Sequence, residues 1–234
     1  MSDMRRSSYE VIIVALAPAA LFLALVAHPY LPGRLPNDAA VAEAVAADTT
    51  RWGLVHLAAG VASGLVILAF LAIRNYLRDA GDHRRSALGV PFIVIGSTLF
   101  AMLPGMEFAA LAAAETGTGL ADITAAQAAL EEWFVPILAI GALSFAIGVV
   151  AFIRGITATG ILSRPWTAVV VGALAVIVLS RAVPLAAAQF YLQGVASIVA
   201  LWPLAYHMWR YPTPGAAAQP GRAGGSQRAQ LLGR

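Results

Sequence analysis

LVHLAAGVASGLVILAFLAI, residues 54–73, runs for twenty positions with one ionisable side chain, His56, and meets Arg74 directly after its last isoleucine. A helix rises about 1.5 Å per residue and must cross about 30 Å of hydrocarbon, so about 20 apolar residues predict a transmembrane helix. Lipid offers the backbone no hydrogen-bond partners, which leaves a helix as the form such a segment can take. Five more stretches of this kind lie at 11–27, 88–114, 133–153, 166–185 and 190–209. The expected fold is all-α, an integral membrane six-helix transmembrane bundle over residues 1–211. Residues 212–234 are rich in Pro, Gly, Ala, Gln and Arg without periodicity and predict a disordered cytoplasmic tail whose arginines touch anionic lipid.

Composition agrees. The chain is 60% hydrophobic and 12% charged, about half the charge of an ordinary soluble domain at roughly 25%. Cysteine is absent, which excludes disulfides, thiolate metal sites and cysteine nucleophiles. Every cationic residue is arginine. Without lysine no phosphate-binding loop of the Gly-x-x-x-x-Gly-Lys type can form, and Gly-x-Ser-x-Gly and His-Glu-x-x-His are missing too.

Arginine placement gives an orientation. With the N-terminus inside, twelve of the fifteen arginines fall in inner segments, Arg34 and Arg51 fall outside, and Arg181 lies within a span. That bias predicts cytoplasmic N- and C-termini, and it explains the basic inner loop and tail without nucleic acid. Compactness and composition suggest a multi-pass protein of a bacterial plasma membrane. Tyr30, Trp52 and Trp133 are expected as outer interface anchors, with Tyr76, Trp166 and Trp209 as inner ones. The first span has the basic start and apolar run of a signal peptide, but Leu25 is too large for the −3 position of a cut after Ala27.

The outer segments carry their own signals. Pro29, Pro32 and Pro36 resist helix, after which Asn37 or Asp38 can cap a short helix through Ala47. Thr124 and Gln127 have capping-box spacing, so the fourth helix is expected to begin well before residue 133. Gly60 with Gly64, and Ser144 with Gly148, are small pairs expected to pack helices within the chain rather than between chains. Prolines 18, 91, 104, 136, 184 and 203 lie in or near spans and can kink them.

The ionisable groups in the spans fall towards the outer side. Glu107 lies about 28 Å beyond Leu88 along its helix and Arg181 about 22 Å beyond Trp166. Glu131 and Glu132 stand at the outer mouth of the fourth span, His28 ends the first and His56 begins the second. Three readings fit. Arg181 can pair with Glu107 or Glu132 and merely fix helix packing. The cluster of Arg181, Glu107, Glu132, His28 and His56 can form an extracytoplasmic pocket for a small anionic or lipid-like ligand, with a break after Pro104-Gly105 exposing carbonyls. Or His28 and His56, with the carboxylates, can hold a metal ion or a haem in a membrane-embedded enzyme. A binding, transport or accessory role is preferred to catalysis. His83 reads as a solvated loop residue and His207 as an interface anchor.

Overall fold

The computed structural model describes residues 2–34, 37–117 and 119–212, with side chains described from Ser8 onward. The expected tail from 213 to 234 lies outside the described residues. Eight helices form: α1 (Ser2–Ala27), α2 (Asp38–Ala47), α3 (Thr49–Asp79), α4 (Arg85–Met106), α5 (Phe108–Glu115), α6 (Leu120–Thr159), α7 (Arg164–Ser180) and α8 (Ala186–Arg210). No strand is present among the described residues, only an isolated bridge between Arg34 and Leu185.

Five segments are long and apolar enough to cross a membrane: Ser8–Ala27, Thr49–Asp79, Arg85–Glu115, Leu120–Thr159 and Ala186–Arg210. The chain is therefore a membrane protein. The fifth expected span, 166–185, is cut short. The apolar helix there has 17 residues, or about 26 Å at 1.5 Å each, and ends before Arg181. A turn at Arg181–Ala182 and an extended stretch to Leu185 follow, so residues 186–189 belong to the next helix rather than to a connecting loop.

Outward-facing side chains are apolar. Leu57, Leu143, Leu179 and Val195 are each more than half exposed, an arrangement that water penalises and lipid accepts. Inside, one apolar core joins α1, α3, α4, α6, α7 and α8 through residues such as Val14, Ile73, Ile93, Phe152, Leu174 and Leu204. A second, smaller core caps one end, where Val41, Val45, Trp52, Leu111, Ile123 and Ala186 meet. Trp52 is 1% exposed, so it is a core residue and not the interface anchor its position suggested. Trp133, Trp166 and Trp209 are exposed as anchors require, and Tyr76 is buried with its hydroxyl donating to the Tyr211 carbonyl at 2.8 Å.

The closest helix packing is built on glycine. A Cβ at Gly96 of α4 would sit 2.7 Å from the Phe145 nitrogen and 2.9 Å from the Gly141 carbonyl of α6. A Cβ at Gly89 would sit 2.9 Å from the Gly148 carbonyl, and one at Gly148 would sit 2.9 Å from the Ile93 nitrogen. The pairing Gly89 with Gly148 and Gly96 with Gly141 makes an antiparallel seam in which the two backbones touch. The expectation for Gly148 holds. For Gly60 and Gly64 it does not: nothing lies within 4 Å of a Cβ at either, so this pair packs no helix within the chain.

At the end opposite the small core, Gly81 adopts φ +101° and stops α3. The next residue, Asp82, is 2% exposed. Its carboxylate accepts from the Arg85 amide at 2.9 Å and the Ser86 amide at 2.8 Å, serving the free donors at the start of α4. Gly155 of α6 leaves room for it, since a Cβ there would meet Asp82 Oδ2 at 2.6 Å. Burial alone would raise the Asp82 pKa; hydrogen bonds from Ser86, Arg85 and Arg84 outweigh it and hold the carboxyl below its ordinary 3.8. A depressed folded pKa adds stability above the ordinary value that disappears as pH falls through the folded one. Asp82→Ala is expected to cost about 1–2 kcal/mol, the range for losing a helix cap, and to flatten that acid limb. Thermal unfolding of both proteins between neutral pH and the carboxylate range measures it.

The Asn37 expectation also holds. Its side chain accepts from the Ala40 amide at 3.2 Å and starts α2. Thr124 and Gln127 form no cap, because α6 begins earlier, after Gly119. Thr124 bonds back to the Leu120 carbonyl instead.

Candidate functional site

The five residues expected to share one pocket separate into two places, and one of them belongs to neither. Glu132 is exposed at the surface of α6.

The first place is a histidine cluster where α1 ends and α3 begins. His28 Nε2 lies 3.3 Å from His56 Nε2. His28 Nδ1 is 2.8 Å from the Pro29 carbonyl and His56 Nδ1 is 2.7 Å from the Trp52 carbonyl. Trp52 is tilted over His56 with ring centroids 4.4 Å apart, and Phe190 from the first turn of α8 meets His28 edge-on at 4.9 Å. Arg51 ties this corner to α1 by donating to the Ala27 carbonyl at 2.9 Å. Burial pushes the His28 imidazole below its ordinary 6.5; the bond to Pro29 opposes this and the charge of Arg51 adds to it.

Glu107 adjoins this cluster through its backbone. The third span breaks there: α4 ends at Met106, α5 starts at Phe108, and the Glu107 carbonyl accepts from Trp52 Nε1 at 3.4 Å. The break expected after Pro104-Gly105 is present at Glu107, whose carbonyl accepts from the Leu111 amide at 3.3 Å as well as from the tryptophan. The Glu107 carboxylate, 9% exposed, turns the other way and accepts from Gln127 Nε2 of α6 at 3.1 and 3.3 Å. Among the described residues no group of three or more His, Asp or Glu is placed to hold a metal ion. The set of His28, His56, Glu107 and Glu132 is therefore not gathered as a metal centre would need. The two histidines meet directly through their Nε2 atoms, 3.3 Å apart.

The second place is the bundle core around Arg181. Its guanidinium carbon stands 4.0 Å from the centroid of the Phe100 ring. Among the described residues the ion pair that forms is Arg78 with Asp79, and no carboxylate reaches Arg181. The expected pairing with Glu107 or Glu132 is absent because Glu107 is turned towards Gln127 and Glu132 faces outward. Arg181 instead lines a cavity of about 40 Å³ with Ser63, Ser97, Gln193 and Ser197, walled by Phe70, Phe100 and Phe145. Ser63 and Ser197 are satisfied by the carbonyls of Ala59 and Gly194. Ser97 Oγ and Gln193 Oε1 are buried without a hydrogen-bond partner. A water needs roughly 10–15 Å³ of such space, so this cavity takes a few water-sized groups.

Ser97 and Gln193 are site residues that charge alone did not reveal. The available signal was Gln193, an amide set in an apolar span; Ser97 carried none, since serine is common in packed membrane helices. His83 is exposed as expected, and His207 stacks on Tyr211 at 4.9 Å. No protein-family model matches the chain, and no curated protein and no solved structure matches it either.

Proposed function

We propose that this chain is a six-span plasma-membrane protein, both termini cytoplasmic, whose bundle core binds a small anionic ligand at Arg181. One observation carries the reading: a partly buried arginine with no carboxylate partner borders a cavity that also holds two unsatisfied polar atoms. Guanidinium cannot shed its proton under ordinary conditions, and an unpaired charge within a bundle is costly. The counter-charge then comes from outside the chain. Ser97 can donate to it, and Gln193 can accept from a hydroxyl on the ligand or from a water carried with it. The chemical class is a carboxylate or phosphate, free or as the head of a lipid-like acid with its tail along the phenylalanine wall. The role is binding or accessory. The positive-inside arginine count supports the topology, and α7 with its following turn supplies the sixth crossing.

The experiment is thermal unfolding of detergent-purified protein with formate, acetate, phosphate and a medium-chain fatty acid, beside Arg181→Gln. At a hundred times the dissociation constant a bound anion stabilises by about 2.7 kcal/mol. Stabilisation by one of these anions in the wild type, absent in Arg181→Gln, is the expected result. The cation–π contact with Phe100 supports a second, purely structural role. That role wins if no anion stabilises the wild type while Arg181→Gln alone destabilises it.

A further inference from the structure

The histidine cluster poses a proton-counting problem that two neutral imidazoles cannot solve. It has three contacts: His28 Nδ1 to the Pro29 carbonyl, His56 Nδ1 to the Trp52 carbonyl, and Nε2 to Nε2 at 3.3 Å. Carbonyl oxygens only accept, so both Nδ1 atoms must carry hydrogen. A neutral ring has one N–H, so both Nε2 atoms then present bare lone pairs to each other. Moving a hydrogen to either Nε2 satisfies that contact but turns an Nδ1 lone pair on a carbonyl at 2.7 or 2.8 Å. Three bonds need three protons, and two neutral rings bring two.

We infer that His28 and His56 form a binding site for one additional proton, held between their Nε2 atoms as an imidazole–imidazolium pair. One ring becomes the cation and donates Nε2–H to the other, and both Nδ1–H bonds to carbonyls are kept. The interactions that form are a charge-assisted N–H···N contact and a favourable approach of the cation to an aromatic ring. Trp52 is tilted over His56 with centroids 4.4 Å apart, inside the roughly 6 Å over which a ring face attracts a cation.

The surrounding charges set when the proton binds. Arg51 on α3 opposes it, and Arg34 and Arg181 are further cations on the neighbouring link segments. Asp48 at the start of α3, Asp38 and Glu43 on α2, and Asp122 on α6 are the acidic groups of the packed elements. The Glu107 carboxylate at the α4–α5 break is engaged with Gln127. α8 presents Gln189 and Phe190, neither of them charged. Of these charges Arg51 is the one that acts on His28. Burial, opposed by the Pro29 bond and joined by Arg51, holds the His28 imidazole below its ordinary 6.5. The two rings interact too closely to titrate separately, so the proton belongs to the pair.

The test is ¹⁵N NMR of histidine-labelled full-length protein in lipid nanodiscs, titrated from pH 8 to about 4.5, the window around and below the ordinary imidazole value. Neutral Nδ1–H, neutral Nε2–H and imidazolium have distinct nitrogen shifts. Both rings should read as Nδ1–H at high pH and take up one proton per pair, not two, on acidification. In His28→Gln the amide can donate to His56 Nε2, so His56 should stay neutral where the wild type protonates. Circular dichroism checks that the variant is folded, and the wild-type tautomers decide the matter without any variant. A stable Nε2–H tautomer on either ring at high pH overturns the inference. So does uptake of two protons in separate steps, or stoichiometric zinc that survives chelators and holds both Nε2 atoms.

Discussion

Gly96→Val should leave too little folded protein to purify. The added Cβ alone would stand 2.7 Å from a backbone nitrogen of α6 and 2.9 Å from a backbone carbonyl. Neither atom can rotate out of the way as a side-chain tip could. α4 and α6 would have to separate along their whole contact, stripping Ile93, Phe100, Phe145, Val149 and Phe152 of neighbours. Overpacking of ordinary core positions costs about 1–3 kcal/mol and occasionally more, and this site lies at the upper end because backbone is the obstacle. Gly64→Val is the control. It adds the same atoms where nothing lies within 4 Å, and its unfolding temperature should match the wild type. Fluorescence-detected size exclusion across a temperature series compares the two; equal melting of both variants would mean that the helices are not in backbone contact.

Trp52→Ala should be the most damaging change at the histidine end, costing about 3–5 kcal/mol as for other large buried aromatics. Trp52 is 1% exposed, donates to the Glu107 carbonyl and covers the His56 ring. Its loss would open a void between α2, α3 and α5 and remove one of the two donors to the Glu107 carbonyl, leaving the Leu111 amide. Trp52→Phe keeps most of the packing and forfeits the indole hydrogen bond, for about 1 kcal/mol. Chemical denaturation of the three proteins should rank them wild type, Phe, Ala. A Phe variant as unstable as Ala would place the weight on the hydrogen bond rather than on the filled volume.

What the sequence made legible was depth, and what it hid was azimuth. The hydrocarbon layer demands apolar runs of fixed length, so the long helices announced themselves, and Asn37 announced α2 by its capping chemistry. Counting residues set Glu107 and Arg181 in the same half of the helices. Whether they face each other depends on how each helix is rotated about its axis, which packing decides. Glu107 turns to Gln127 and Arg181 to Phe100. Trp52 and the glycines failed in the same way. An aromatic residue at a helix end looks like an anchor until its direction is known, and Gly60-x-x-x-Gly64 resembles a packing motif although the working seam uses Gly89, Gly96, Gly141 and Gly148. The histidine pair was found from proximity to the interface, but its logic depended on the Pro29 and Trp52 carbonyls, which no residue type encodes.

The seam also governs how this gene can drift. Every base change that replaces glycine by another amino acid adds a Cβ, so no missense step at Gly89, Gly96 or Gly148 leaves the backbone contacts as they stand. Lineages that diverge from this chain should keep glycine at those positions while Leu57, Leu143 and Leu179, each more than half exposed, wander freely among apolar residues. The oldest readable part of the sequence would then be its emptiest side chains.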